Sequence, residues 1–213
     1  MLRILGFCMF NLVIVSFAAC EGTGAKTASA EPTGSRILVA YFSMPESAGV
    51  DAVAGASRVV ADGKVYGNTQ WVADRILEAT GGDRFVIETA QEYPGEHAAL
   101  VDRGADEKER NARPRLKTSI GTLDAYDVVF IGYPIWWADL PMPLYSFFDE
   151  HDFSGKMIIP FSTHGGSGFA DTISTIAALE PKAAVARNGF TVSRNSVSRS
   201  GGDVAAWVRA QRL

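Results

Sequence analysis

From Arg36 onward, continuous apolar runs alternate with stretches whose apolar residues fall at helical spacing. "RILVAYF" (36–42) is unbroken apolar sequence after its arginine, as expected of a strand covered on both faces. "NTQWVADRILEAT" places Trp71, Val72, Ile76 and Leu77 on one helical face, and Gly81-Gly82 ends it. "DRFVIETA" (83–90) predicts a second strand, followed by a loop and a charged, exposed helix within 93–114, stopped before Pro114. "YDVVFIGYP" (126–134) predicts a third strand and "LPMPLYSFFDEH" a helix around 141–150. "KMIIPFSTHGGSG" (156–168) is a fourth strand running into a glycine-rich loop, with a helix over 169–179. "AVARNGFTVSR" supplies a fifth strand and "GGDVAAWVRAQRL" (201–213) a last helix.

Five strands alternating with helices predict an α/β fold, a doubly wound parallel sheet with helices on both faces. Ligands of such sheets sit beyond the C-terminal strand ends, at the topological switch point. The Gly/Pro/polar loops of this chain fall at those ends, after strands one, three and four.

One connection breaks the rhythm. Between Ser43 and Gly67 lie the 23 residues Met44 to Tyr66, where a phosphate-binding strand–turn–helix would have only a few. "SRVVADGKVYG" has Asp62-Gly63 between two β-prone runs and predicts a hairpin. With its ends pinned by strand and helix, the insert is expected over the phosphate end of a ligand. A surface hairpin without a role in the chemistry is the alternative.

Residues 1–20, "MLRILGFCMFNLVIVSFAAC", carry one basic residue, an apolar run and small residues ending in Cys20. This is the layout of a secretory signal, and "FAAC" resembles a lipobox with Phe17 in place of the usual leucine. The expectation is an exported domain, lipid-anchored through Cys20, on the extracytoplasmic side of a membrane; a transmembrane anchor over residues 4–20, barely long enough to span, is the alternative, and the small-residue ending argues for cleavage. Arg3 is the only basic residue of the leader, so it holds no twin arginine and export of the unfolded chain is expected. Residues 21–35 read as a flexible tether and 36–213 as the folded domain. Cys8 and Cys20 are the only cysteines, so a mature domain would have neither a disulfide nor a thiolate metal site. A net charge of −4 gives no footprint for nucleic acid.

The strand-end loops carry the candidate chemistry. Gly67-Asn68-Thr69 opens a helix, whose N–H groups and dipole suit a phosphate, and Ser43 could add a hydroxyl. Plain capping by Asn68 is the alternative. No P-loop lysine and no G-x-G-x-x-G follow strand one, which argues against a nucleoside triphosphate and a Rossmann dinucleotide. Pro134-Ile135-Trp136-Trp137 puts two large flat side chains at the sheet's rim, suited to cover a planar ring; packing of one or both against the next helix is the competing reading. "STHGGSG" (162–168) lets backbone N–H groups approach the polar edge of a heterocycle, with His164 to bond that edge or deliver a proton; a histidine bonding local backbone is equally compatible. Phosphate, flat ring and polar ring edge together describe flavin mononucleotide (FMN).

"ILVAYFS", "GNTQWVA", "NARPRL", "YDVVFIGYPIWW" and "DFSGKMIIPFSTHGGSG" resemble the flavodoxin-like family, in its branch with W-W after strand three and T-H-x-G-S-G after strand four. The resemblance covers about residues 36–212. It implies five strands in the order 2-1-3-4-5 and non-covalent FMN. Ser43, Asn68 and Thr69 would hold the phosphate. Pro134, Ile135, Trp136 and Trp137 would face the ring, and Ser162, Thr163, His164, Gly165 and Gly166 would line its other side. The insert departs from the family's continuous S-x-T-G-N-T loop. Two functions are open: electron transfer to a redox partner protein or membrane quinone, and FMN-dependent NAD(P)H:quinone-type oxidoreduction with His164 and Tyr66 lining a substrate pocket. A module that holds the ligand without turnover is a third.

Overall fold

The first strand alternates between two cores. Leu38, Ala40 and Phe42 face one helical layer, and Val39 and Tyr41 face the other, so all five are buried. The structure is a computed structural model and describes residues 35–45, 57–61, 63–211 and 213. The leader, Cys20, all but the last residue of the tether, and residues 46–56 of the insert lie outside the described residues.

The elements in chain order are β1 (Ile37–Tyr41), β2 (Arg58–Ala61), β3 (Lys64–Gly67), α1 (Asn68–Thr80), β4 (Asp83–Val86), α2 (His97–Glu109) and β5 (Val128–Pro134). Then come α3 (Met142–Glu150), β6 (Met157–His164), α4 (Thr172–Leu179), β7 (Ala184–Val185), β8 (Phe190–Ser193) and α5 (Gly201–Ala210). The main sheet is parallel, in the order β4-β1-β5-β6, with β7 and β8 both pairing β6 on the far edge. Counted without the hairpin, this is the order 2-1-3-4-5. The packing of α1 and α5 covers the Val39/Tyr41 face through Trp71, Val72, Ile76, Val204 and Val208. On the other face, α3 and α4 supply Leu144, Phe147 and Ile176. Among the described residues, no helix is long and apolar enough to cross a membrane.

The fifth strand is in two pieces, and Pro160 explains the break. The carbonyls of Lys156 and Ile158 face the edge strand, where they accept from Ala184 N and Ala186 N at 2.8 Å each. Met157 N faces the other way and donates to Asp127 O. By this alternation Pro160 presents its backbone to the edge, with no N–H to give. Pairing stops there: β7 matches Met157 and Ile158, and β8 resumes at Phe161.

The second strand is also shorter than its apolar pattern. After Ile87, whose N–H still reaches Tyr41 O, the chain leaves β1. Residues 88–90 pair instead with 115–117, through Lys117 N to Glu88 O and Ala90 N to Arg115 O, 2.8 Å each.

The insert does contain an antiparallel hairpin, β2–β3, with Gly63 at the turn in the left-handed region; Asp62 lies outside the described residues. Its Val59 is buried in the same core cluster as Trp71 of α1 and Val197, while Val60 and Val65 are exposed. The hairpin therefore anchors on the α1/α5 side.

Candidate functional site

The topological switch lies between β1 and β5, because the chain leaves β1 for β4 on one side and returns to β5 on the other. Three loops converge at the C-terminal strand ends beside it.

At the first loop the two halves separated by the insert meet. Ser43 Oγ accepts from Gln70 N at 3.4 Å, and Gln70 Oε1 accepts from Gly67 N at 3.3 Å. Gly67 is the N-cap, in extended backbone, and has no side chain to cap α1, so the distant Ser43 hydroxyl takes that place; Asn68 is already inside the helix. The Asn68 N–H donates to Ser57 O at 2.9 Å, so the residue just before β2, within the insert, touches the helix N-terminus. A Cβ at position 67 would stand 2.1 Å from Ser43 Oγ, which makes glycine a condition of this closure. Thr69 is buried, and its Oγ1 is hydrogen-bonded at 2.9 Å to Oγ1 of Thr163 at the end of β6.

The second loop is a tight turn. Trp136 and Asp139 bond each other's backbones, and Trp137 and Ala138 have φ of 51° and 58°. Two successive positive φ values are those of a type I′ turn, an uncommon backbone for tryptophan. The turn sends the two indoles in different directions. Trp136 packs edge-on to Phe42 and Tyr93, with centroids 5.4 and 5.5 Å away. Trp137 stays 54% exposed, its Nε1 donating to Val101 O at 3.1 Å and its carbonyl accepting from Lys108 Nζ at 2.6 Å. Ile135 N donates to Thr163 O at 2.9 Å and ties this loop to the next.

Behind Trp136 stands a buried polar group. Glu107 of α2 is 1% exposed and accepts from Arg103 Nε and Tyr93 Oη, each at 2.6 Å. Burial, then the bond to this carboxylate, push the Tyr93 hydroxyl's pKa upward.

In the third loop, Gly166 N donates to His164 Nδ1 at 2.9 Å. A neutral His164 therefore carries its proton on Nε2, as a donor. Burial lowers its pKa. Added Cβ atoms at Gly165 and Gly166 would meet nothing within 4 Å, so open space lies beside this backbone.

A cavity of about 240 Å³ joins the second and third loops. Pro134, Ile135, Trp136, Trp137, Thr163, His164 and Gly165 line it. Of the other expected residues, Ser162 turns away, its Oγ bonded at 2.7 Å to Thr191 Oγ1 of β8. Neither Gly166 nor the Ser43/Asn68/Thr69 group lines the cavity; that group stands at the α1 N-terminus, linked to it through Thr69–Thr163. Tyr66 does not line it either and packs with the α1/α5 core.

Sequence reading missed Ser57, His97, Leu100, Val101, Gly104 and Arg194, which complete the wall. Charged, polar sequence made α2 read as a solvated helix. Only Arg194 carried a signal, because it follows the C-terminal end of a strand.

Fold and site define a parallel α/β protein with a ligand crevice at its switch point, walled by a tryptophan turn and a glycine-rich loop. The family model for flavodoxin matches residues 36–211, and the chain belongs to the flavodoxin family. Among solved structures, the chain is similar to a protein of Bacteroides eggerthii provisionally described as a flavoprotein. Identity is 28%, over 84% of this chain and 99% of that one, with a TM-score of 0.64. A second such protein, from Bacteroides uniformis, matches at 28% identity over 78% and 97%, with a TM-score of 0.58. A Lactobacillus acidophilus flavoprotein, in complex with FMN, shares the fold at 16% identity, over 76% and 95% of the chains, with a TM-score of 0.53. No curated protein matches the chain.

Proposed function

We propose that the chain binds FMN non-covalently and transfers electrons. The carrying observation is the cavity between the Pro134–Trp137 and Thr163–Gly165 loops, joined by Thr69–Thr163 to the N-terminus of α1. The residues present fit the cofactor. Ser43, Asn68 and Thr69 bring two hydroxyls and an amide to the N-terminus of α1, where a phosphate, which needs donors and no lysine, would take over the Asn68 and Gln70 N–H groups now bonded to Ser57 O and Ser43 Oγ. Open space beside Gly165 leaves its backbone accessible to a ring edge, with His164 Nε2–H beside it, while the Gly166 N–H is held by His164 Nδ1. When bound, FMN supplies the redox chemistry, while the protein sets exposure and potential.

The proposal includes location. The leader ending at Cys20 supports an exported domain held to the membrane by lipid. Soluble NAD(P)H is scarce outside the cytoplasmic membrane, so a redox partner protein or a membrane quinone is the favoured electron exchange partner. Purification from the native membrane fraction tests both points together. The expected outcome is a yellow protein absorbing in the blue, with a mass fitting a lipidated Cys20. A colourless protein that takes up no added FMN refutes the function.

One observation favours a second reading, FMN-dependent NAD(P)H:quinone-type oxidoreductase. The cavity wall continues past the ring loops onto His97, Leu100 and Val101 of α2, where a second substrate could rest. Rapid NADPH oxidation by the FMN-loaded protein, dependent on added quinone, would select this reading.

A further inference from the structure

We propose that Arg194, beside His164 on the cavity wall, makes the site bind the anionic, two-electron-reduced form of the flavin more tightly than the oxidised form. The potential at which the protein works is thereby raised. This rests on the reading that the cavity takes the ring of FMN.

The charge balance of the wall is one-sided. Its titratable side chains are His97, His164 and Arg194, and no carboxylate lines it among the described residues. Arg194 differs from the arginines of α2 and the segment after it. Arg103, Arg110 and Arg113 each pair with a carboxylate. Among the described residues, the Arg194 guanidinium has neither an ion pair nor a hydrogen bond. The backbone fixes its place: β8 is in register with β6 through Ser193 and His164, and Arg194 N donates to His164 O at 2.8 Å.

The oxidised flavin ring is neutral, and the fully reduced ring bears a negative charge at neutral pH. A fixed cation at a partly enclosed wall acts through a lower effective dielectric than water and stabilises only the charged form. His164 adds a neutral Nε2–H donor to the same wall without compensating the charge. Charge near the ring is one of the levers by which a protein tunes a flavin.

The test uses the full-length protein loaded with FMN, with its potential measured by spectral titration against a reference dye. Arg194→Gln should reduce the preference for the reduced form about tenfold, a fall of about 30 mV for a two-electron couple. Arg194→Lys should keep most of the preference, and affinity for oxidised FMN should hardly change in either variant. An unchanged potential in Arg194→Gln overturns the inference. So does an equal loss of affinity for both redox forms that is absent with riboflavin, which would make Arg194 a phosphate ligand. Wild-type protein that binds no FMN is a separate result and overturns the function reading along with the inference.

Discussion

The indole of Trp136 lies against Gly104 in the middle of α2, where an added Cβ would stand 3.2 Å from Cε3. Glycine inside a helix costs about 1 kcal/mol relative to alanine. Here it lets the helix approach the ring. Phe42 and Tyr93 hold the same indole from other sides, leaving it little room to retreat. Overpacking costs about 1–3 kcal/mol. Gly104→Ala should therefore lose about 1 kcal/mol net in urea unfolding, despite better helix propensity. A stabilised variant would show that the indole moves freely.

The two tryptophans should separate in mutagenesis. Trp136→Ala removes a packed indole and should cost about 2–4 kcal/mol of folding stability, short of the full penalty because the side chain is half-buried. Trp137→Ala should leave stability within about 0.5 kcal/mol of wild type, its side chain being exposed. Its FMN affinity should weaken by about 1–3 kcal/mol, by analogy with stacking of bases on aromatic side chains. Denaturation and FMN titration of both variants check this, and unchanged affinity in both removes the ring-covering role.

Tyr93→Phe leaves the buried Glu107 carboxylate with Arg103 as its remaining side-chain partner. Losing a hydrogen bond to a buried charge should cost about 1.5–3 kcal/mol. The loss should shrink in a Glu107→Gln background, where no charge remains. A double-mutant cycle in guanidinium measures the coupling, and strict additivity would contradict the arrangement.

The Thr69–Thr163 bond joins the helix N-terminus to the ring loop. Thr69→Val should destabilise the protein by about 1–2 kcal/mol, since the Thr163 hydroxyl would lose its buried partner. Thr69→Ser should restore most of it. A valine variant as stable as the wild type would show that the hydroxyl pair contributes nothing.

Glu180 introduces a pH dependence remote from the site. Burial, then the nearby Asp152 and Asp149, raise its pKa to about 7 from 4.5. Its contribution to stability is full below about pH 4.5, where both states are protonated. Between there and about pH 7 the folded state holds the proton more tightly, so this contribution falls as pH rises. Glu180→Gln should flatten that decline by about 1 kcal/mol, allowing for partial solvent exposure. Denaturation midpoints at pH 5 and pH 8 measure it, and identical slopes in both proteins would count against the shift.

What was legible from the sequence follows a physical line. The alternation of apolar runs with helical spacing is local, so β1, α1, β5 and β6 emerge close to their predicted spans. The strand order came from resemblance and agrees with the observed sheet. Less was legible at positions where a distant partner decides. The fifth strand reads as one apolar stretch, and only its neighbour's Pro160 splits it. The second strand is cut short because residues 88–90 find a partner beyond α2.

The site divides in the same way. By itself the sequence determined that polar and glycine-rich loops end strands one, three and four, because turn chemistry is written in adjacent residues. It also gave two tryptophans side by side without saying which is buried. Tertiary structure decided that. A type I′ turn and the close approach at Gly104 direct Trp136 inward and leave Trp137 in solvent. It also closed Ser43 onto Gly67 across the insert and brought Arg194 to His164. These contacts join residues far apart in the chain. Only the packed sheet and its helices bring such groups together, and no local period encodes them.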